Sequence, residues 1–221
     1  MTYCVAMSLD VGMIFASDSR TNAGVDQIAR FSKMRVFYRD GDRVIVTLSS
    51  GNLSLTQNAV NVLEQRARAG DKVPNLWNAE SMFDVAGYLG DALREVKTRD
   101  GPYLAQNNID SSANFIEATA DTCYFQIGES KYGKPVIDRV VNRRTSLVDA
   151  TKCTIVSFDS TMRSNISVGL PIDLLSYEAD SLQIKMQRRV DESDPYFQMV
   201  HTQWGEGLRR VFAQLPDPDW T

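Results

Sequence analysis

Thr2 stands directly behind Met1 and opens a strand-like run, Thr2-Tyr3-Cys4-Val5-Ala6-Met7-Ser8. With Met1 removed, this one residue carries a hydroxyl and a free α-amine within reach of each other. A threonine hydroxyl is a weak nucleophile until a base takes its proton. An N-terminal amine, with an ordinary pKa of roughly 7.7–8.0, can serve as that base. Four other places supply what such a hydrolase needs. Asp18, in Ser17-Asp18-Ser19-Arg20, is a carboxylate able to hold a cation in place. Lys33, in Arg30-Phe31-Ser32-Lys33-Met34-Arg35, offers positive charge that lowers the hydroxyl's pKa and assists proton transfer, with Arg30 and Arg35 as alternative cations. Leu48-Ser49-Ser50-Gly51-Asn52 is a small-residue turn before a helix, and N–H groups there are ready donors to a developing oxyanion. Ile127-Gly128-Glu129-Ser130-Lys131-Tyr132-Gly133-Lys134 is a glycine-bracketed turn that can return Ser130 to the site, and it lacks the ending of a phosphate loop. Taken singly, Asp18 is a turn aspartate and Ser50-Gly51 a helix cap. Their combination with Thr2 points to hydrolysis.

Other chemistries are excluded by count. The single histidine, His201, sits in the amphipathic run Tyr196-Phe197-Gln198-Met199-Val200-His201 and reads as a surface or interface residue. A Ser-His-Asp or Cys-His arrangement would have to use it, yet no serine nucleophile elbow accompanies it. A multi-histidine zinc site cannot be built from one chain. Cys4, Cys123 and Cys153 have no CxxC spacing and read as buried small hydrophobes, not as a disulfide framework or zinc ligands. No cofactor and no metal are therefore expected. A net charge of −4 without a basic block argues against nucleic acid and anionic membrane surfaces. No apolar run approaches the roughly 18–20 residues that span a bilayer, and no basic segment leads into an apolar one at the N-terminus. A cytoplasmic protein is expected.

The elements that must position these residues follow from periodicity. Residues 3–9 and 13–19 form a hairpin turning at Asp10-Val11-Gly12, and Met34–Tyr38 and Arg43–Leu48 form a second around Asp40-Gly41. In an antiparallel hairpin the end of the second strand lies beside the start of the first, so Asp18 approaches Thr2. Lys33 opens a third strand, expected to run next to that hairpin. A helix capped by Asn52 or Ser54 carries Leu55, Ala59, Val62, Leu63 and Ala67 and stops at Gly70. A second, from about Ala79, carries Met82, Val85, Ala86, Leu89, Ala92, Leu93 and Val96 and ends before Gly101-Pro102. Residues 113–128 are strand-like; Leu147 to about Met162 is a helix with Leu147, Ala150, Thr154 and Phe158 on its apolar face; strands follow over roughly 168–176 and 181–190. The last helix runs from Pro195 to Leu215 with Val200, Trp204, Leu208, Val211, Phe212 and Leu215 inward. No linker or repeat divides the chain, so residues 1–221 are expected to form one domain, with a C-terminal helix and tail from about 195. Blocks of strands and blocks of helices argue for antiparallel sheets with segregated helices: two helical layers outside two stacked sheets.

Three blocks carry a family resemblance: Ser17-Asp18-Ser19-Arg20-Thr21-Asn22-Ala23-Gly24, Ile127 to Pro135, and Phe158 to Gly169 with its Ser164-Asn165-Ile166-Ser167-Val168-Gly169 ending. With Thr2, Lys33 and the turn at 50–51 they resemble a proteasome β-type subunit, and in wording the bacterial Anbu family of ancestral-type β subunits, over nearly the whole chain. The resemblance implies the N-terminal-nucleophile hydrolase fold, a four-layer αββα sandwich of the α+β class. It implies Thr2 as nucleophile and its own amine as base, Asp18 and Lys33 as a supporting ion pair, and the N–H of Ser50 or Gly51 as oxyanion donor. Ser130 and Ser167 match the serines that hold the amine and its water, with Arg20, Ser164 and Asn165 in support. One departure stands out. Where proteasomal subunits carry an aspartate three residues before the last serine, this chain has Ser164 followed by Asn165, and loss of that carboxylate would weaken orientation of the amine.

The function expected is a threonine-type peptidase or amidase acting on peptides or unfolded protein within a homo-oligomeric ring or spiral. Two alternatives share the residues: a catalytically weak assembly or peptide-binding subunit, and an amidase or acyltransferase on a non-protein substrate. Retention of Met1 would favour the former, because it turns the base into an amide. The resemblance also brings ATP-grasp and transglutaminase-like proteins as pathway partners. Aromatic residues at the chain end, Tyr196, Phe197, Trp204, Phe212 and Trp220, exceed what one helix stripe needs and point to a subunit interface.

Overall fold

In chain order the strands are β1 (Tyr3–Leu9), β2 (Gly12–Asp18), β3 (Arg20–Asn22), β4 (Ile28–Arg30), β5 (Met34–Arg39), β6 (Arg43–Leu48), β7 (Tyr124–Gly128), β8 (Ile172–Glu178) and β9 (Ile184–Val190). The helices are α1 (Leu53–Arg68), α2 (Met82–Leu104), α3 (Lys134–Val140), α4 (Leu147–Ser164) and α5 (Pro195–Ala213). They belong to a computed structural model that describes residues 2–22, 28–104, 118–119 and 121–220. Two compact units result, residues 1–48 with 120–221, and residues 49–119. No helix among the described residues is long and apolar enough to cross a membrane.

The first unit is built on a five-stranded antiparallel sheet in the order β7-β1-β2-β8-β9. β1 lies second in this order with β2 and β7 on either side, and Tyr3, Val5, Met7 and Leu9 are all buried. Residues i, i+2 and i+4 share one face of a strand, and these side chains form one core with Ile14 and Ala16 of β2 and with Ala150, Cys153 and Phe158 of α4. The Tyr3 and Phe158 rings stand 4.6 Å apart. Ser146 caps α4 by accepting from the Asp149 N–H, where the side-chain oxygen satisfies a donor the helix leaves open. Phe197 and Val200 of α5 complete this core.

Several expectations change in the structure. β5 pairs with β6 in a sheet of their own, not with the first hairpin, and an unforeseen pair, β3 and β4, lies between them in sequence. The chain instead returns beside β2 through the Phe31 N–H, which donates to the Ser19 carbonyl at 2.8 Å. α3 was not legible; it is a short helix with Pro135 in its first turn. β8 begins four residues later than expected, at Ile172. α5 buries Phe197 and Val200, but Leu208, Val211, Phe212 and Leu215 are exposed, Phe212 to 76%. Of the expected strand over 113–128, Phe115 and Ile116 lie outside the described residues, as does Gly24.

In the second unit α1 and α2 pack against each other, with Leu55, Ala59, Val62 and Leu63 of α1 and Val85, Ala92 and Val96 of α2 buried. Asn52 caps α1, as expected, by accepting from the Leu55 N–H. α2 starts at Met82, where Ser81 and Asp84 cap it reciprocally, and it runs through Gly101-Pro102 to Leu104. A proline near a helix end removes one donor and does less harm there than in mid-helix. Met82, expected on the apolar stripe, is 61% exposed because it occupies the first turn.

Candidate active site

Thr2 is buried, at the head of β1. The β1–β2 register sets Cys4 opposite Ser17, so Asp18 reaches across to the start of β1, and its Oδ1 accepts the Tyr3 N–H at 2.9 Å. The same oxygen accepts from Lys33 Nζ at 2.7 Å. Lys33 Nζ also donates to the Arg20 carbonyl at 2.8 Å, which ties the residue before β5 to the start of β3. Both members of the ion pair are buried. Burial pushes the Asp18 carboxyl above its ordinary value, against the opposing pull of the Lys33 ammonium and the Tyr3 N–H. The pair fixes a cation within one residue of Thr2.

On the other side of β1, β7 pairs with Tyr3 opposite Gly128, which sets Glu129 across from Thr2. The Glu129 N–H donates to the Thr2 carbonyl at 2.6 Å. Gly128 is required there: it has φ +88°, and a Cβ would lie 2.1 Å from the Thr2 carbonyl oxygen. Gly133 closes the turn under equal pressure, since a Cβ would stand 2.2 Å from the Tyr3 hydroxyl. That hydroxyl is held by Ser157 Oγ at 2.6 Å and by the Gln126 amide at 3.0 Å, and burial pushes its pKa up to about 12. Between the glycines Ser130 is exposed, its N–H donating to Glu129 Oε1 at 2.9 Å.

The third contributor is the turn after α4. Asn165 ends the helix, its Nδ2 donating to Glu129 Oε2 at 2.7 Å and its Oδ1 accepting from the Ser167 N–H at 3.0 Å. Arg20 Nη1 donates to the Ile166 carbonyl at 2.7 Å and so holds this turn from the β3 side. Ser164 is exposed at the last position of α4. Thr2, Asp18, Arg20, Lys33, Ser130, Asn165 and Ser167 are thus joined through three consecutive pieces of one hydrogen-bonded assembly. Ser50 and Gly51 belong to the second unit, where Gly51 takes φ +101° just before the Asn52 cap.

Glu129 is the residue the sequence reading missed. It is buried, and its carboxylate accepts from the N–H groups of Ser130 and Lys131 and from the Asn165 amide. Its place in the glycine-bracketed turn was visible, but its role depends on β7 lying against β1. His201 has an unforeseen partner: Nδ1 lies 2.5 Å from Oδ1 of the buried Asp159. The three cysteines are buried and joined in no disulfide, and burial pushes the Cys153 thiol up to about 11, so it stays protonated. Among the described residues no cluster of ligating side chains could hold a metal ion.

No protein-family model matches the chain, and neither does any curated protein. Solved structures match it over its whole length. Anbu (ancestral beta-subunit) from Yersinia bercovieri is 47% identical, with 99% of this chain and 100% of that one covered and a TM-score of 0.91. A structure described as the helical assembly of the Anbu complex from Pseudomonas aeruginosa is 43% identical, covering 99% and 98% with a TM-score of 0.92. Anbu from Hyphomicrobium sp. strain MC1 is 40% identical, covering 98% and 99% with a TM-score of 0.88. Likeness of this extent carries the α+β fold, with its antiparallel sheets and flanking helices, as well as the sequence. The chain belongs to the Anbu family, the proteasome-like ancestral β subunits.

Proposed function

We propose that this Anbu subunit is an N-terminal threonine hydrolase acting on peptide or other amide bonds, with Thr2 as nucleophile once Met1 is removed. The supporting observation is the Asp18 carboxylate, which links the Lys33 ammonium to the N–H of the residue following Thr2. In this reading the Thr2 amine takes the hydroxyl proton, the hydroxyl oxygen attacks the scissile carbonyl, and the protonated amine then returns that proton to the leaving amine. Lys33 supplies fixed positive charge beside the reacting hydroxyl, and Asp18 keeps it there. Ser130 and Ser167 hold the amine and its water, with Arg20, Ser164 and Asn165 supporting their turn. The family resemblance assigns the oxyanion to the N–H of Ser50 or Gly51. Water then releases the acyl group from the threonine ester by the same proton route.

The same reading places the subunit in a homo-oligomer. A relative 43% identical is described as a helical assembly, and α5 of this chain leaves Leu208, Val211 and Phe212 exposed. Head-to-tail contacts of identical subunits close into a ring or continue as a helix according to the rotation per subunit.

Thr2→Ala tests the mechanism. It removes only a hydroxyl and a methyl-equivalent carbon at a strand end, so fold and assembly should persist while peptide hydrolysis and labelling by a β-lactone disappear. Full turnover by Thr2→Ala on peptides the parent cleaves would exclude the mechanism.

A further inference from the structure

We propose that Glu129 and Asn165 act as one positioning pair for the Thr2 end, supplying through an amide the carboxylate that the chain lacks beside its last serine. The proposal rests on the reading of Thr2 as nucleophile. Its basis is an unbroken chain of contacts. The Glu129 N–H holds the Thr2 carbonyl at 2.6 Å. Its Oε1 accepts from the Ser130 and Lys131 N–H groups at 2.9 and 2.8 Å, and its Oε2 accepts from Asn165 Nδ2 at 2.7 Å. Asn165 Oδ1 then takes the Ser167 N–H at 3.0 Å. One buried residue thus gathers the turn bearing Ser130 and the turn bearing Ser167 through its carboxylate, and the strand bearing Thr2 through its backbone N–H. Burial pushes the Glu129 carboxyl up, but bonds from Lys131, Asn165 and Ser130 outweigh it and hold the group below its ordinary value. Glu129 is therefore an anion at any working pH.

This geometry explains the asparagine. Position 165 must donate to a carboxylate on one side and accept from an N–H on the other, and an amide does both. An aspartate there would set two carboxylates face to face in a buried place, which forces one of them to take a proton. Asn165 is thus the complement of Glu129. The pairing can be reversed with each of these four bonds kept. In Glu129→Gln with Asn165→Asp, the glutamine amide donates to the aspartate, its carbonyl serves the Ser130 and Lys131 N–H groups, and the aspartate accepts from Ser167. Net charge is unchanged.

The test is the second-order rate of covalent labelling by a peptide epoxyketone, followed by intact mass from pH 5 to 9, with thermal melting of each variant alongside. Glu129→Gln and Asn165→Asp should each label at least about tenfold more slowly, and the doubly exchanged chain should return to within about threefold of the parent. Loss of an anion near the Thr2 ammonium should also move the acid limb of the Glu129→Gln profile to lower pH, and the exchange should move it back. A purely structural role would slow the singles without moving that limb. Should Glu129→Gln fail to fold, Asn165→Asp and the double exchange still decide the matter. A parent that labels on Thr2 while both singles match its rate and pH profile overturns the pair alone. A parent that takes no probe overturns the reading of Thr2, and the pair with it.

Discussion

One oxygen of Asp18 accepts both from the Lys33 ammonium at 2.7 Å and from the Tyr3 N–H at 2.9 Å. The cation and the backbone beside Thr2 therefore share a single anchor. Loss of Lys33 removes the charge, and loss of the Asp18 charge frees the lysine from its place, so each deletion should undo the same function. Lys33→Ala is expected to slow hydrolysis by about 10²-fold or more, the usual scale for losing a charge-stabilising or proton-transfer group. Asp18→Asn should do similar harm, and the double variant should be little worse than either single. Steady-state kinetics on one fluorogenic peptide measures all three. Multiplicative losses would show that the two act independently.

Gly128 lets β7 approach Thr2 with no side chain between them. Gly128→Ala places a Cβ 2.1 Å from the Thr2 carbonyl oxygen at a φ of +88°, so backbone must move on one side or the other. A destabilisation of about 2–4 kcal/mol is expected, together with loss of probe labelling. Chemical denaturation and intact mass give the two readouts. An alanine variant with parent-like stability and labelling would mean that the close approach is dispensable.

The hairpin and the Thr2–Asp18 approach were legible in the sequence from short-range patterns, whereas the residues alone left Lys33, Arg30 and Arg35 open as the cation and the family resemblance singled out Lys33. Glu129 was not legible. Its contact with Thr2 spans more than a hundred residues, and nothing local to Gly128-Glu129-Ser130 reveals which strand β7 will join. The third strand illustrates the same limit: Lys33 reaches Asp18 as expected, yet β5 pairs with β6 rather than with the first hairpin. In the last helix the period placed Val200, Trp204, Leu208, Val211, Phe212 and Leu215 inward, but Leu208, Val211, Phe212 and Leu215 are exposed. A period reports which face is apolar, not what covers it, and within one subunit Val200 of that stripe is buried and Trp204 packs against the core.

The uncovered part of α5 carries the expectation for assembly. Mass photometry of the parent should find species far above the 24.8 kDa monomer. Leu208→Asp with Phe212→Asp places charge on exposed positions and leaves Phe197 and Val200 in the core, so the fold should persist while the distribution shifts to smaller species. An unchanged distribution would place the subunit contacts elsewhere.

Asp194 fixes where α5 begins. Its Oδ1 accepts from the Tyr196 and Phe197 N–H groups at 2.9 and 3.1 Å, and its Oδ2 from Arg188 at 2.6 Å. Burial works against ionisation, but the Phe197 N–H and the Arg188 guanidinium prevail and hold the carboxyl below its ordinary value. Asp194→Ala should cost about 1–2 kcal/mol at neutral pH. Because the folded pKa is depressed, this contribution is complete above the unfolded value of roughly 3.9 and is lost as pH falls through the folded one. The difference between parent and variant, measured by unfolding at fixed protein concentration, should be flat from pH 8 to about 5 and narrow only below about 4. A difference that shrinks already near neutrality would contradict this assignment.

The most direct measurement is the intact mass of the purified protein before and after an epoxyketone, followed by peptide mapping. Such a probe closes its ring through both a hydroxyl and a free amine on one residue, which only an N-terminal serine or threonine supplies. The expected result is a chain lacking Met1 that gains one probe per subunit, with the adduct on Thr2. A chain that keeps Met1 yet hydrolyses peptides, or an adduct on any other residue, would contradict it.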